Sequence, residues 1–372
     1  VLYLKQIQDK IDEVGNYSKS VNIDRPFFSA FAKWGAGVYV AQDFGVDSLP
    51  DPTGRYGIQN FKVGTQDAWV GKSLKIFDGD SEEDRTTNFI TSLRFLRRNY
   101  TEFPTREYDS LRFFSDERFY LAGFGVTSRK FIQDKYLFNY GITEDVAIGK
   151  VYALTVGYQN KNHINRLYLG GRFAFGQYFN WGYFSTNIEY GTFFRGAITQ
   201  QSTMSFEINY FTNLIQIGKW RLRQFVKPTV VLGTNRFETV ADRITLNDQY
   251  GISGFNSFKL RGTKRALITL QTQSYSPWVF GGFRLNPFLS YAIGALSDEN
   301  NNLFNGKAYS QISVGIMITN DFLVFNNFQL SFSFYPTVPR DGNNPLQTNS
   351  FRTTDYRMPN FEYGKPQIVP YQ

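Results

Sequence analysis

Apolar and polar residues alternate along this chain with a period of two, the spacing of a strand whose two faces meet different surroundings. Between Arg166 and Gly176 the odd positions are Leu167, Leu169, Gly171, Phe173 and Phe175, and the even ones are Arg166, Tyr168, Gly170, Arg172 and Ala174. The pattern then repeats. Phe184, Ile188, Tyr190 and Phe194 oppose Ser185, Asn187, Glu189 and Arg195, and Met204, Phe206, Ile208 and Tyr210 oppose Ser205, Glu207 and Asn209. Further along, Ile312, Val314, Ile316 and Ile318 oppose Gln311, Ser313 and Gly315, while Phe328, Leu330, Phe332 and Phe334 oppose Gln329, Ser331 and Ser333. Earlier copies lie around 31–42, 89–97, 119–129 and 151–159. Short turns such as Phe179-Asn180-Trp181-Gly182 join neighbours, which predicts a hairpin meander of about 16 strands of about 10 to 12 residues each.

Composition decides what the two faces meet. Aromatic residues make up 18% of the 372, with 38 Phe and 24 Tyr, yet mean hydropathy is only −0.35. No run approaches the roughly 20 apolar residues of a membrane helix, whereas strands with one lipid face and one wet face give this balance. A soluble sandwich or propeller also alternates, but here the apolar face is aromatic at almost every strand and its partner face carries Arg, Lys, Glu, Asn and Gln. The fold class expected is therefore all-β, a transmembrane antiparallel β-barrel, in the outer membrane of a Gram-negative cell. Residues 1–25 are expected to stay outside the wall, with 3–14 an amphipathic helix whose stripe is Leu4, Ile7, Ile11 and Val14; 26–358 form the barrel, with 351–357 a possible closing strand; 359–372, with three prolines, form an extended tail. No basic segment and apolar run of a signal peptide precede the first strands, so export is inferred from the barrel pattern itself.

The charge of +8 and isoelectric point near 9.3 acquire a direction from the alternation. Trp220, Leu222, Val226, Val230 and Leu232 oppose Arg221, Arg223, Lys227 and Thr229, so cations gather on the face that closes inward. Arg94, Arg172, Arg221, Arg223 and Lys227 are expected to line the lumen, either as an anion-favouring channel or as ion-pair partners of carboxylates such as Glu189 and Glu207. Because that face closes inward, nucleic acid is not expected as a partner. There is no cysteine, and the single histidine, His163, sits in a turn. The run from Asp78 to Asp84 is acidic but lacks the full spacing of a calcium loop. No enzyme, metal or cofactor is expected.

One loop carries a motif: Gly251 through Lys264, rich in glycine, with Leu260-Arg261-Gly262-Thr263 ahead of the strand from Ala266 to Ser276. It resembles the conserved loop of the outer-membrane assembly and translocation barrels, the superfamily of BamA, TamA and the two-partner secretion transporters, whose motif is a β-branched residue, Arg, Gly and an aromatic. About five strands follow it here, as in that superfamily. The resemblance implies a 16-stranded barrel, a loop folded into the lumen after the eleventh strand, and a role in protein insertion or translocation through a weak seam between first and last strands. It implies that Arg261 meets the inner wall. Relatives place carboxylates where Gln273 and Ala292 stand, so Gln273, Ser290 or carbonyls are the partners expected here. Thr143-Glu144-Asp145-Val146 echoes a turn of superfamily members with an upstream enzymatic domain. The superfamily's periplasmic domains have no counterpart in the 25 or so residues ahead of the wall. Expected partners are outer-membrane lipid and lipopolysaccharide, a protein substrate or other outer-membrane subunits. The alternatives are a porin-like channel and a barrel that anchors a partner, with 359–372 as its docking strand.

Overall fold

The computed structural model describes residues 3–5, 10–11, 16–248, 250–320, 327–339 and 345–372. Its strands are β1 (Tyr3–Lys5), β2 (Lys10–Ile11), β3 (Tyr17–Arg25), β4 (Trp34–Pro50), β5 (Tyr56–Lys75), β6 (Thr87–Glu102), β7 (Glu117–Lys135), β8 (Thr143–Lys161), β9 (Ile164–Phe179) and β10 (Gly182–Arg195). They continue as β11 (Ile198–Thr212), β12 (Ile215–Ile217), β13 (Trp220–Thr234), β14 (Lys264–Tyr275), β15 (Val279–Phe280), β16 (Phe283–Ser297), β17 (Ala308–Thr319), β18 (Asn327–Phe334) and β19 (Leu346–Thr348). All ladders are antiparallel and join successive strands. β1 and β2 share the edge of β3, β12 prolongs β11 along β13, and β15 prolongs β14 along β16, so the nineteen segments fill sixteen successive positions. Among the described residues no ladder joins β18 or β19 to β1, β2 or β3, which leaves two sheet edges.

Three local expectations are corrected. Residues 3–14 are not a helix where described: Tyr3–Lys5 pairs with Asn22–Asp24 and Lys10–Ile11 with Tyr17–Ser18. An exposed strand edge presents unpaired N–H and C=O groups, and a flanking extended segment satisfies them. Ile7 and Val14 lie outside the described residues. Because β3 itself spans Tyr17–Arg25 and pairs with β4, the wall begins well before residue 26. Nor does 351–357 close the sheet. β19 stops at Thr348, and Thr353–Tyr356 is a 3-10 turn. Wall side chains take up that segment: Gln329 donates to the Phe351 carbonyl (2.7 Å) and accepts from the Thr353 amide (3.1 Å), and Ser331 donates to the same carbonyl (3.0 Å).

Burial along the strands is inverted relative to a water-soluble sheet. On β17, Gln311 and Ser313 are 1% and 0% exposed while Ile312 and Val314 are 39% and 51% exposed. On β18, Ser331 and Ser333 are buried and Phe328, Leu330, Phe332 and Phe334 are exposed. Leu167 and Leu169 of β9 and Tyr190 of β10 also face out, opposite buried Arg166, Tyr168 and Ser185. The alternation read from the sequence is thus correct in phase throughout these strands, with the polar face inside.

The turns follow local chemistry. Asn162 and His163 take φ of +50° and +60°, the left-handed pair of a two-residue hairpin, and His163 is exposed. At the β4–β5 turn the Thr53 hydroxyl and the Arg55 amide hold the Asp51 carboxyl below its ordinary value. The acidic run ends in α1 (Glu82–Thr86), capped by the Ser81 hydroxyl on the Asp84 amide (3.1 Å). Among the described residues no cluster of three or more His, Cys, Asp or Glu could hold a metal. Glu144, in the run that echoed an enzymatic relative, accepts from the amides of Leu137, Phe138 and Asn139 and so fastens the β7–β8 turn.

Candidate functional site

The inward faces converge on the chain's own last residues. Beyond β19 the segment does not leave the sheet to dock elsewhere; it crosses the interior and touches wall strand after wall strand. Tyr356 inserts its hydroxyl beside Pro228, where the β11–β13 ladder is interrupted, and donates to the carbonyls of Tyr210 (3.0 Å) and Val226 (3.2 Å). Phe361, fully buried, accepts through its carbonyl from Thr127 of β7 (2.8 Å). Tyr363 reaches the Leu154 carbonyl of β8 (3.2 Å), and Lys365 reaches Asp67 of β5 (2.7 Å). The segment then returns: the Val369 amide donates to the Tyr168 hydroxyl of β9 (2.8 Å), and Tyr371 donates to the Thr263 carbonyl (3.0 Å). One stretch that touches β5 through β14 from the same side fixes the sheet as a wall curved around an interior.

Glycines on the inward positions make room for it. A Cβ at Gly176 would fall inside the Phe361 ring, and one at Gly123 or Gly125 would fall inside Tyr363. The backbone gains depth there that no other residue allows, and the tail's aromatic rings fill it. Gly176→Val is therefore expected to eject Phe361, at a cost of about 3 kcal/mol by analogy with deleting a buried Phe. Limited proteolysis should then cut within 359–372; a tail as protected as in the unchanged protein would contradict this docking.

The second insert is the loop between β13 and β14, which follows the eleventh position in the sheet as the resemblance implied. Its Ile244, Leu246, Ile252 and Phe255 pack on the inward Val231, Leu267, Ala292, Leu296 and Tyr309. Tyr335 and Gln311 donate to the Ser253 carbonyl (2.6 and 3.0 Å). Within the motif, Leu260 packs against this cluster, Gly262 bridges to Ile244, and buried Thr263 receives the Gly233 amide (2.8 Å). Arg261, however, does not reach the wall: it donates to the carbonyls of Phe258 (3.0 Å) and Val240 (3.2 Å), both in its own loop. Gln273 and Ser290 are not its partners; both are buried, and neither Gln273 amide atom nor the Ser290 hydroxyl has a hydrogen-bond partner among the described residues. The physical reason is the missing carboxylates, since carbonyls within the loop are nearer acceptors. The guanidinium that grips the interior is Arg265, 4% exposed, which donates to the Thr245 carbonyl of the loop (2.9 Å) and to the Gln372 carbonyl of the tail. Nothing in the alternation distinguished Arg265 from its neighbours.

The five cations expected in the lumen all face inward and are all engaged. Arg94 forms a fork on Asp67 (2.8 Å to each oxygen) and donates to the Pro366 carbonyl (3.0 Å). Arg172 holds Asn187 (2.9 Å), lies 3.6 Å from Glu189, and donates to the carbonyls of Glu362 and Asn360 (3.1 and 3.2 Å). Arg221 meets the Tyr136 hydroxyl. Arg223, 2% exposed, is bidentate on Asp134 (3.0 Å twice). Lys227 lies 3.6 Å from Glu207 and donates to the Tyr356 carbonyl (2.9 Å). Of the two original alternatives, ion pairing describes this arrangement better than an open cationic lining. A polar cavity of ≈ 890 Å³ persists between tail, loop and wall, beside Glu207, Lys227, Arg265 and Gln271.

No family model and no curated protein matches the chain. Among solved structures, CdiB from Acinetobacter baumannii is similar over 91% of this chain and 56% of its own, at 10% identity and a TM-score of 0.45, so this chain spans about half the length of that protein. BamA from Haemophilus ducreyi lacking POTRA domains 1–3 is similar over 91% of this chain and 67% of its own, at 10% identity and a TM-score of 0.45. OccK5 from Pseudomonas aeruginosa is similar over 91% and 88%, at 10% identity and a TM-score of 0.27. The chain's own ladders and contacts give an all-β antiparallel meander wrapped around an interior that its loop and tail occupy.

Proposed function

We propose that the chain is an outer-membrane β-barrel that acts in protein insertion or translocation at that membrane. The inverted burial carries the membrane part of this reading. Monomeric soluble proteins rarely expose broad contiguous apolar patches, yet here strand after strand turns Leu, Ile, Val, Phe and Tyr outward and keeps Ser, Gln and Arg inside. A lipid-facing barrel with a polar interior has that pattern.

The sheet edges favour the insertion or translocation part, in line with what the Leu260–Thr263 resemblance implies. Interior strands run to 20 residues, as in β5, whereas β19 pairs with β18 at only three positions among the described residues. An edge with unpaired backbone groups can template an incoming strand, and with tail and loop filling the interior, the edge is the more accessible route for a polypeptide.

The test is reconstitution of the whole chain in lipid vesicles with an unfolded barrel protein as substrate. Its folding, read by heat-modifiable gel mobility, is expected to accelerate, while planar bilayers with the same protein carry no steady current. Steady anion-selective current without any acceleration would overturn this reading in favour of a porin-like channel.

A further inference from the structure

The outward faces of four consecutive strands carry a polar row that the interior does not use. Ladder register sets Gln66 of β5, Arg97 of β6, Arg118 of β7 and Asn160 of β8 side by side. Two residues nearer the strand centres the same faces carry Ala68, Phe95, Tyr120 and Tyr158. Alternation puts both rows outside, since Leu96, Phe119 and Leu121 are buried on the opposite face and Leu93 and Tyr120 are exposed. The Phe95 and Tyr120 rings meet at 5.1 Å. The polar row therefore begins where the apolar belt stops.

Arg97 and Arg118 are direct cross-strand neighbours. Their Cβ atoms are then about 5 Å apart, and like charges so placed destabilise a sheet. Among the described residues neither has an ion pair or a side-chain hydrogen bond with the protein. The carboxylates close by are committed elsewhere: Glu117 to Gln159 (2.6 Å) and Arg98 (3.7 Å), Asp109 to the amides of Phe113 and Phe114 (2.7 and 2.9 Å), Asp116 to the Tyr100 amide (2.8 Å). Arg106 and Arg112, from the following loop, line the same cleft of ≈ 540 Å³. A strand pair that tolerates two facing guanidinium groups under an arginine-bearing loop is complementary to an anion that sits between them.

We propose that this row binds the phosphate of a membrane lipid head group, with Arg97 and Arg118 on the phosphate oxygens and Phe95, Tyr120 and Tyr158 against the apolar part of the lipid. The inference rests on the membrane reading above. Guanidinium forks match phosphate oxygens in two-point hydrogen bonds, and aromatic girdles mark the head-group level of a barrel. Free phosphate offers the same oxygens, but the aromatic row directly beneath favours the lipid.

Native mass spectrometry of the detergent-solubilised full chain tests it with bisphosphorylated lipid A, its dephosphorylated form and inorganic phosphate. Lipid A is expected to be retained at least about tenfold better than the dephosphorylated form, a difference of about 1.4 kcal/mol, and millimolar phosphate should not displace it. Arg118→Glu provides the decisive variant. It places a carboxylate opposite Arg97, so thermal stability should hold or rise while lipid A retention falls at least about tenfold; R97Q/R118Q should lose retention equally. Retention unchanged in both variants, or displacement by phosphate alone, overturns the proposal. Resistance to alkaline extraction from vesicles reads membrane insertion separately. A chain that inserts but retains no lipid A fails this site only, and a chain that does not insert fails the membrane reading and this site with it.

Discussion

Truncation after Met358 is expected to convert a barrel that carries no steady current into an open, anion-favouring conduit. Loss of residues 359–372 removes Phe361 and Tyr363 from the glycine-floored wall and takes away the carbonyls that Arg94, Arg172 and Arg265 hold. It also removes Glu362 from Arg129. The tail contributes one Glu and one Lys, so the charge balance is unchanged, but several guanidinium groups lose their caps and face the vacated space. Such groups lower the barrier for anions more than for cations. Single-channel recordings in a salt gradient should show a stepwise current with a reversal potential displaced toward the anion. A truncated chain as silent as the whole one would mean that the loop alone blocks the interior. Losing two buried aromatic anchors should also cost on the order of 5 kcal/mol, visible as a lower midpoint of heat-modifiable gel mobility.

Arg223→Ala should be the most damaging single replacement in the wall. The guanidinium is buried between β13 and the end of β7, bidentate on Asp134, with further bonds to the carbonyls of Lys135 (2.9 Å) and Thr212 (3.2 Å). Asp134 also accepts from the Tyr178 hydroxyl (2.9 Å), so with Thr212 the pair ties β7, β9, β11 and β13 together. Removing one partner leaves a desolvated charge behind, a loss of about 3–5 kcal/mol. The double variant with Asp134→Leu and Arg223→Met should recover most of it, because no lone charge remains. If the single replacement lowers the unfolding midpoint no more than Arg221→Ala does, the pair is not a clamp.

What the sequence made legible was whatever repeats. The phase of Ile312, Val314 and Ile316 against Gln311 and Ser313 survives in the structure because a strand flips every residue, and one face had to be lipid-like or water-like over its whole length. The inward loop was legible only through the resemblance that Leu260-Arg261-Gly262-Thr263 and the strands after it carry. The tail was not. Its prolines read as an unpaired extension, and its partners, Gly123, Gly125 and Gly176, lie some two hundred residues away in the chain. Their shared inward parity was the available signal, since a bare floor in an aromatic-rich wall implies a ring to fill it. The helix expected over 3–14 failed for a related reason: Leu4 and Ile11 fit a helical stripe, but an open edge on β3 outweighs a weak local preference. The motif points to Arg261, whereas the guanidinium with acceptors in both loop and tail is that of Arg265, which no motif marks.

That one guanidinium has a thermodynamic consequence. Arg265 bonds the loop through Thr245 and the tail through Gln372, and Tyr371 bonds the Thr263 carbonyl at the loop's base. The two inserts therefore share a joint free energy: withdrawing either strands a buried cation and lowers the work of withdrawing the other. Loop and tail should leave the interior as a cooperative unit, so that hydrogen exchange in both is governed by a single opening equilibrium.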